Sequence, residues 1–292
     1  MTMRDNVSAK DALDQNRRYH DEIEAPHYDV RMGIDHGPVA RARMIYELER
    51  VLGRSLPGGC ALDVGTGTGN VAIKLALTGR YERMVAIDIS EGMLEHLGRA
   101  AKEAGVEIES VVTDMRKLPF DDNQFDLVTG CAVLHHLPDP TALMEEIFRV
   151  LKPGAPVVII GEPSRRGGKL IDAVKAPLVL ASRIRKKLRG EVPSPWQHDL
   201  IDIHAFTTAD IRRMTKDFCG LRYVPEGFFG PILGQGWLSP LRPVFAKWPG
   251  IGRLIDLVQY GFDALDTRLM NRIVPMNWRS SMKFAANKPK RT

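Results

Sequence analysis

Apolar positions along this chain keep two different rhythms, and the change from one to the other marks out its elements. After Gly37-Pro38, Met44, Ile45, Leu48, Val51 and Leu52 recur at helical spacing, and proline is at home in a helix's first turn. Gly53 or Pro57-Gly58-Gly59 ends that helix. Short, nearly unbroken apolar runs then alternate with helical patterns. Strands are predicted at Cys60 to Val64, Met84 to Ile89, Ile108 to Thr113, Phe125 to Thr129 and Pro156 to Gly161, with helices at Val71 to Leu77, Gly92 to Ala104 and Thr141 to Leu151. Strands that are apolar throughout are buried on both faces, so the pattern predicts an α/β fold with a mostly parallel sheet covered by helices on both sides. Ligands of such sheets sit beyond the carboxyl ends of the strands, which directs attention to the polar residues just after each one.

Outside this alternation the rhythm is less regular. Residues 1–36 are polar and read as irregular structure with one short helix. Arg165 to Gly190 forms an amphipathic pattern, with Leu170, Val174, Leu178, Ala181, Ile184 and Leu188 on one stripe and Pro177 as a kink. A linker at Pro193 to Pro195 precedes a helix at Thr207 to Phe218 and a sixth strand near Arg222 to Val224. A second insertion carries a helix from about Ile251 to Val274, and Trp278 to Ala286 is the last strand. The expected divisions are a cap and lead-in helix (1–59), a ligand-binding core (60–163), a basic amphipathic insertion or lid (164–205), a return of the core (206–229), a second insertion (230–276), and the last strand with a basic tail (277–292).

Charge sharpens this division. The net charge is only +5, which identifies no partner. Yet Arg165 to Glu191 holds nine basic and two acidic side chains, and Leu241 to Thr292 holds ten and three. The rest of the chain is therefore acidic. Three cysteines, Cys60, Cys131 and Cys219, are too few for a disulfide framework and suggest buried thiols in a reducing compartment. No stretch resembles a signal peptide, and no apolar run is long enough to span a membrane. The expected location is the cytoplasm, with peripheral membrane contact as an option.

The sharpest chemical signal is ALDVGTGTGN at residues 61–70. Gly65, Gly67 and Gly69 permit a tight strand-to-helix turn and let a ligand approach the backbone. The spacing is GxGxG rather than the GxGxxG of dinucleotide folds, and Asn70 occupies the third glycine's place. Asp88, at the second strand's end, is placed to accept both hydroxyls of a ribose, and Asp114, at the third, to accept an adenine amino group. Asp63, Asp88 and Asp114 together suit a ligand with a ribose, an amine and a cationic centre better than a pyrophosphate.

With VAIDIS, VVTDMRKLPFDDNQFD, VLHHLPDP and RVLKPGAPVVIIGEP following the loop, the chain resembles class I S-adenosylmethionine-dependent methyltransferases of the small-molecule type 11 subgroup. The resemblance covers about residues 26–163, 204–229 and 276–288. It implies a Rossmann-like sheet with an antiparallel last strand, and S-adenosylmethionine as cofactor. It also implies that the loop, including Thr66, holds the methionine part, that Asp88 with Ile89 meets the ribose, and that Asp114 and the Met115 backbone line the adenine. The resemblance further implies that the stretch from Gly130 to His136 passes beneath the methyl group and that Tyr28 closes over the cofactor.

The acceptor is harder to read, because displacement at a sulfonium needs alignment first and a base only when the acceptor arrives protonated. His135 and His136 follow the fourth strand and are candidate bases, with His204 as a third. Adjacent residues point different ways, so one of the pair is expected to face the acceptor. Glu162, Trp196 and Phe228 are candidate acceptor contacts. No histidine pair shows helical ligand spacing with carboxylates, so no metal is expected. Nor does any basic groove or base-handling module point to nucleic acid. The expected function is methylation of a hydrophobic small molecule, as in antibiotic or other secondary metabolism. Methylation of a lipid or isoprenoid quinone at a membrane surface is the first alternative, and a non-catalytic cofactor-binding protein is the second. The sequence leaves the oligomeric state open, and a dimer is compatible with it.

Overall fold

The computed structural model describes residues 9–25, 28–188, 202–225, 227, 248–275 and 278–290. Seven strands form one sheet: β1 (Gly59–Val64), β2 (Tyr81–Asp88), β3 (Glu109–Val112), β4 (Leu127–Cys131), β5 (Pro156–Pro163), β6 (Cys219–Pro225) and β7 (Ser281–Asn287). Their order across the sheet is β3-β2-β1-β4-β5-β7-β6. The first five run parallel, and β7 is antiparallel to both β5 and β6.

Period-two alternation explains why both faces must be covered. Leu62 and Val64 of β1, Val85 and Ile87 of β2, and Val157 and Ile159 of β5 point into one core with Phe125, Ile147, Phe206 and Phe284. Their neighbours Ala61, Met84, Ala86, Val158 and Ile160 point into a second core with Leu48, Ile73, Leu75 and Leu97. The helices supplying this second cover are α3 (Pro38–Leu52), α4 (Ala72–Ala76) and α5 (Glu91–Ala104); α6 (Pro140–Val150) and α8 (Thr208–Met214) cover the first. Local chemistry sets their starts. The Ser90 hydroxyl accepts from the Met93 amide at α5, Asp139 caps α6 ahead of Pro140, and Thr207 with Asp210 forms a reciprocal capping box at α8.

The amino-terminal region departs from the sequence reading. Residues 9–32 are mostly helical: α1 (Ala9–Tyr19), a π-helical turn (His20–Glu24) and α2 (Tyr28–Met32). Two aspartates explain why so polar a segment is ordered. The Ser90 hydroxyl and the Gly92 amide both donate to Asp21 Oδ1, at 2.6 and 3.1 Å, where the N-terminus of α5 favours a negative charge. The Thr68 hydroxyl donates to Asp29.

Helix α7 (Arg165–Leu188) continues through Pro177 rather than ending there. The chain returns to the core through a bridge between Ser164 and Phe206. Helix α9 (Pro249–Leu265) leads into a π-helical turn (Asp266–Met270) and a short helical segment (Asn271–Ile273), together the helix expected from 251 to 274. Its outer face leaves Leu254, Leu257 and Val258 exposed. No described helix is long and apolar enough to cross a membrane. The thiols differ from expectation: Cys60 and Cys131 are half-buried and Cys219 is exposed.

Candidate active site

A cleft of about 770 Å³, counting its open mouth, lies at the carboxyl ends of β1, β2 and β4. Strand β1 delivers Asp63 to its floor. This carboxylate is buried and accepts from the hydroxyls of Thr66 and Thr129, each at 2.7 Å. Burial pushes its pKa up to about 6, against the help of the two hydroxyls. Asp63 thus clamps the turn after β1 to β4.

The turn reverses through left-handed backbone at Gly65 (φ +60°) and Gly67 (φ +56°), and the two glycines serve different ends. A Cβ at Gly65 would lie 2.2 Å from Val133 Cγ2, so this glycine is required by packing. One at Gly67 would have nothing within 4 Å, so that position faces the open cleft. The Gly67 amide donates to Asp88 Oδ2 at 2.8 Å, and the Ser90 amide to Oδ1 at 3.0 Å. Burial raises the Asp88 pKa although these amides oppose the shift.

Tyr28, Thr66, Ile89, Met115 and His136 also line the cleft. Met115 reaches it through left-handed backbone (φ +60°), an uncommon conformation for a residue with a side chain. Asp114 does not line the cleft as expected. Its carboxylate accepts from the Arg116 amide and guanidinium, and that guanidinium holds its pKa below the usual carboxylate range. Gly69 and Gly130 are also outside the lining. Ile159, Val64 and Val133 close around the Cα of Gly130, which makes it a packing glycine. Trp196 and Phe228 lie outside the described residues.

The histidines and Glu162 form a connected group. Glu162 is fully buried, and its carboxylate is taken up by hydrogen bonds within the protein. One of its oxygens accepts from the Val133 and Leu134 amides at 2.9 Å, and the other from the His135 amide at 3.1 Å and ring Nδ1 at 2.9 Å. Burial opposes charge on both partners, but their pairing prevails: the Glu162 pKa is lowered and the His135 pKa raised. The His136 ring packs on that of His135, with centroids 3.9 Å apart, and it alone of the pair lines the cleft. His204 is not in the lining; its Nε2 lies 3.3 Å from the Pro138 carbonyl, and its amide donates to the His135 carbonyl.

Sequence reasoning missed two contributors. Leu13, Asn16 and His20 reach the cleft from α1 and the turn after it, with the His20 ring 5.2 Å from that of His136. Their signal was the helical spacing of Ala9, Ala12, Leu13 and Asn16 within a charged segment. Asp202 stands beside the two histidines, its Oδ1 3.7 Å from His135 Nε2 and 3.5 Å from His136 Nδ1. No local pattern could have joined residues 66 positions apart.

Residues 62–159 match the family model described as a methyltransferase domain. Over these residues the chain carries a methyltransferase domain. Curated relatives match over the same part. A demethylmenaquinone methyltransferase of Clavibacter sepedonicus is 43% identical over 98 residues, which is 34% of this chain and 39% of that protein. A ubiquinone/menaquinone biosynthesis C-methyltransferase of Geotalea daltonii is 33% identical over 140 residues, 47% of this chain and 58% of its own. The chain thus spans between about two fifths and three fifths of the length of these relatives. Among solved structures, the phosphoethanolamine N-methyltransferase 2 of Haemonchus contortus, in complex with S-adenosyl-L-methionine, superposes with a TM-score of 0.61 at 19% identity, covering 98% of this chain and 61% of that one. A [4+2]-cyclase superposes with a TM-score of 0.57 at 18% identity, covering 96% and 97%. These two likenesses establish the methyltransferase fold, which by itself does not fix the reaction.

The class uses S-adenosylmethionine, and the cleft of this methyltransferase domain fits it. A buried Asp88 carboxylate at the wall suits a ribose, and a Cβ at Gly67 would fill the space beside it. Asp63 adds negative charge on the floor toward a sulfonium.

Proposed function

We propose that the protein methylates a ring carbon of an isoprenoid quinone in its reduced, hydroquinone form. The observation that carries this reading is the lining of the cleft, where apolar Leu13, Val133 and Leu137 stand with the neighbouring imidazoles of His20 and His136, which can meet a hydroxyl. An apolar bicyclic or monocyclic ring bearing an ionisable hydroxyl suits that wall. The names of the curated relatives favour this acceptor over the secondary metabolite expected from sequence. Exposed Leu254, Leu257 and Val258 on α9, within a strongly basic carboxyl-terminal stretch, suit delivery from an anionic bilayer.

S-Adenosylmethionine, when bound, supplies an electrophilic methyl carbon on a sulfonium. The chain's work is to hold the ribose at Asp88, shape the methionine site with Gly65 to Gly67, and exclude water with α1. Transfer to a ring carbon would cleave the carbon–sulfur bond, whose electrons would stay with sulfur. The ring regains aromaticity by losing the proton on that carbon, so one proton is released per turnover.

The test supplies demethylmenaquinol in detergent micelles with trideuteromethyl-labelled donor, followed by mass spectrometry and NMR of the extracted lipid. A labelled methyl group on ring carbon is expected. A methyl ether, or no transfer while S-adenosylhomocysteine still binds, overturns the proposal.

A further inference from the structure

We infer that His135, His136 and Asp202 form a binding site for a divalent transition-metal ion at the acceptor end of the cleft. One ligand atom from each lies within 4.8 Å of the others. The two histidine–Asp202 separations, 3.5 and 3.7 Å, are long for hydrogen bonds. They are close to what an ion imposes: two N or O ligands, each about 2.0–2.2 Å from a tetrahedral centre, stand roughly 3.3–3.6 Å apart.

A second, independent feature points the same way. Glu162 already accepts from three backbone amides, and as a carboxylate it can only accept from His135 Nδ1–H as well. That fixes the tautomer and leaves the lone pair of His135 Nε2 facing Asp202. A carboxylate–histidine–metal relay is how proteins orient a ligating imidazole. Backbone bonds from Ile203 and His204 to the His135 carbonyl, at 2.9 and 3.1 Å, hold Asp202 in place although its side chain is 63% exposed. Nitrogen-rich donors favour zinc, iron or cobalt over magnesium or calcium.

Three protein ligands leave a coordination position open, as at catalytic rather than structural sites. Because His136 lines the cleft, that position adjoins the acceptor. There the ion would bind the acceptor's hydroxyl oxygen and ease loss of its proton to water, and the oxyanion so formed would donate electron density into the ring carbon that attacks. This deepens the acceptor reading above and rests on it for the oxygen, though not for the ion.

The test uses the full chain stripped with a chelator and titrated with cobalt(II) alone, without donor or acceptor. We expect one equivalent to bind and to develop the visible bands of low-symmetry, near-tetrahedral cobalt. Asp202→Asn and His136→Ala should each weaken binding at least tenfold, and Glu162→Gln by about 10- to 100-fold if it folds. His96→Ala, on α5, should leave it unchanged. Absence of the bands, or equal affinity in Asp202→Asn and His136→Ala, overturns the site; Asp202→Asn changes a surface side chain, so misfolding does not obscure the result. Quinol methylation that survives chelation, together with absent cobalt bands, removes the ion and leaves the acceptor reading standing. Cobalt binding without quinol methylation does the reverse.

Discussion

Two glycines two residues apart offer a test that separates fold from ligand. Both adopt left-handed backbone, so alanine at either costs about 1–2 kcal/mol in conformation. Gly65→Ala adds a collision, with its methyl group 2.2 Å from Val133 Cγ2 and 2.7 Å from Val133 Cβ. Val133 is buried and bonded through its amide to Glu162, so it cannot retreat freely, and overpacking of this kind costs about 1–3 kcal/mol more. The sum, roughly 2–5 kcal/mol, should lower Tm by about 10 °C. Gly67→Ala meets nothing within 4 Å and should lose only the conformational part. Its methyl group instead enters the cleft beside Asp88, where it should weaken S-adenosylhomocysteine binding by about 10- to 100-fold, equivalent to 1.4–2.7 kcal/mol. Differential scanning fluorimetry and titration calorimetry on both variants read the two effects. A Gly67→Ala protein with unchanged affinity, or one destabilised as much as Gly65→Ala, would refute the assignment of Gly67 to the ligand.

Asp63 makes stability depend on pH in an unusual direction. Its folded pKa of about 6 exceeds the ordinary 3.8, so the folded state binds the proton more tightly. Its contribution to stability therefore grows as pH falls from about 7 to 4, by at most about 3 kcal/mol. The difference in urea stability between wild type and Asp63→Asn should move in favour of wild type over that interval, and a constant difference would exclude the effect. Asp21→Ala removes the bonds from Ser90 and Gly92 that seat the turn after α1. Stopped-flow should show S-adenosylhomocysteine leaving about three- to tenfold faster, with association little changed. Lys288 Nζ donates to the Arg149 and Leu151 carbonyls and to the Asn123 side chain. Lys288→Ala should cost about 1–3 kcal/mol in urea unfolding and leave ligand affinity as it was.

What could be read from the sequence follows from what is local. The sheet announced itself because β1, β2, β4 and β5 are apolar on both faces, and the loop because Gly65 and Gly67 sit at a turn that needs them. Asp88 shares that origin, standing where its strand ends. The histidine pair was found, but its surroundings were not: Glu162 reaches back across the sheet's end, and Asp202 returns after a long excursion. The local partner of Asp114 was not read either: Arg116, two residues on, holds its carboxylate. Helix α1 was unreadable because polar contacts from Asp21, rather than a strong apolar stripe, hold the segment against α5.

Strand β7 lies between β5 and β6, although it is the last of the three to be made. During synthesis, the outer edge of β5 emerges and then waits while more than a hundred further residues are added, roughly 6–24 s at ordinary elongation rates. Strand β6 appears in that interval and has no proper neighbour, since among the described residues it pairs only with β7. Two open edges then coexist on one nascent chain, and direct union of β5 with β6 would lock out the strand still inside the ribosome. Translation speed and chaperone capture across residues 164–280 should therefore govern the yield of native protein more strongly than any change within the first five strands.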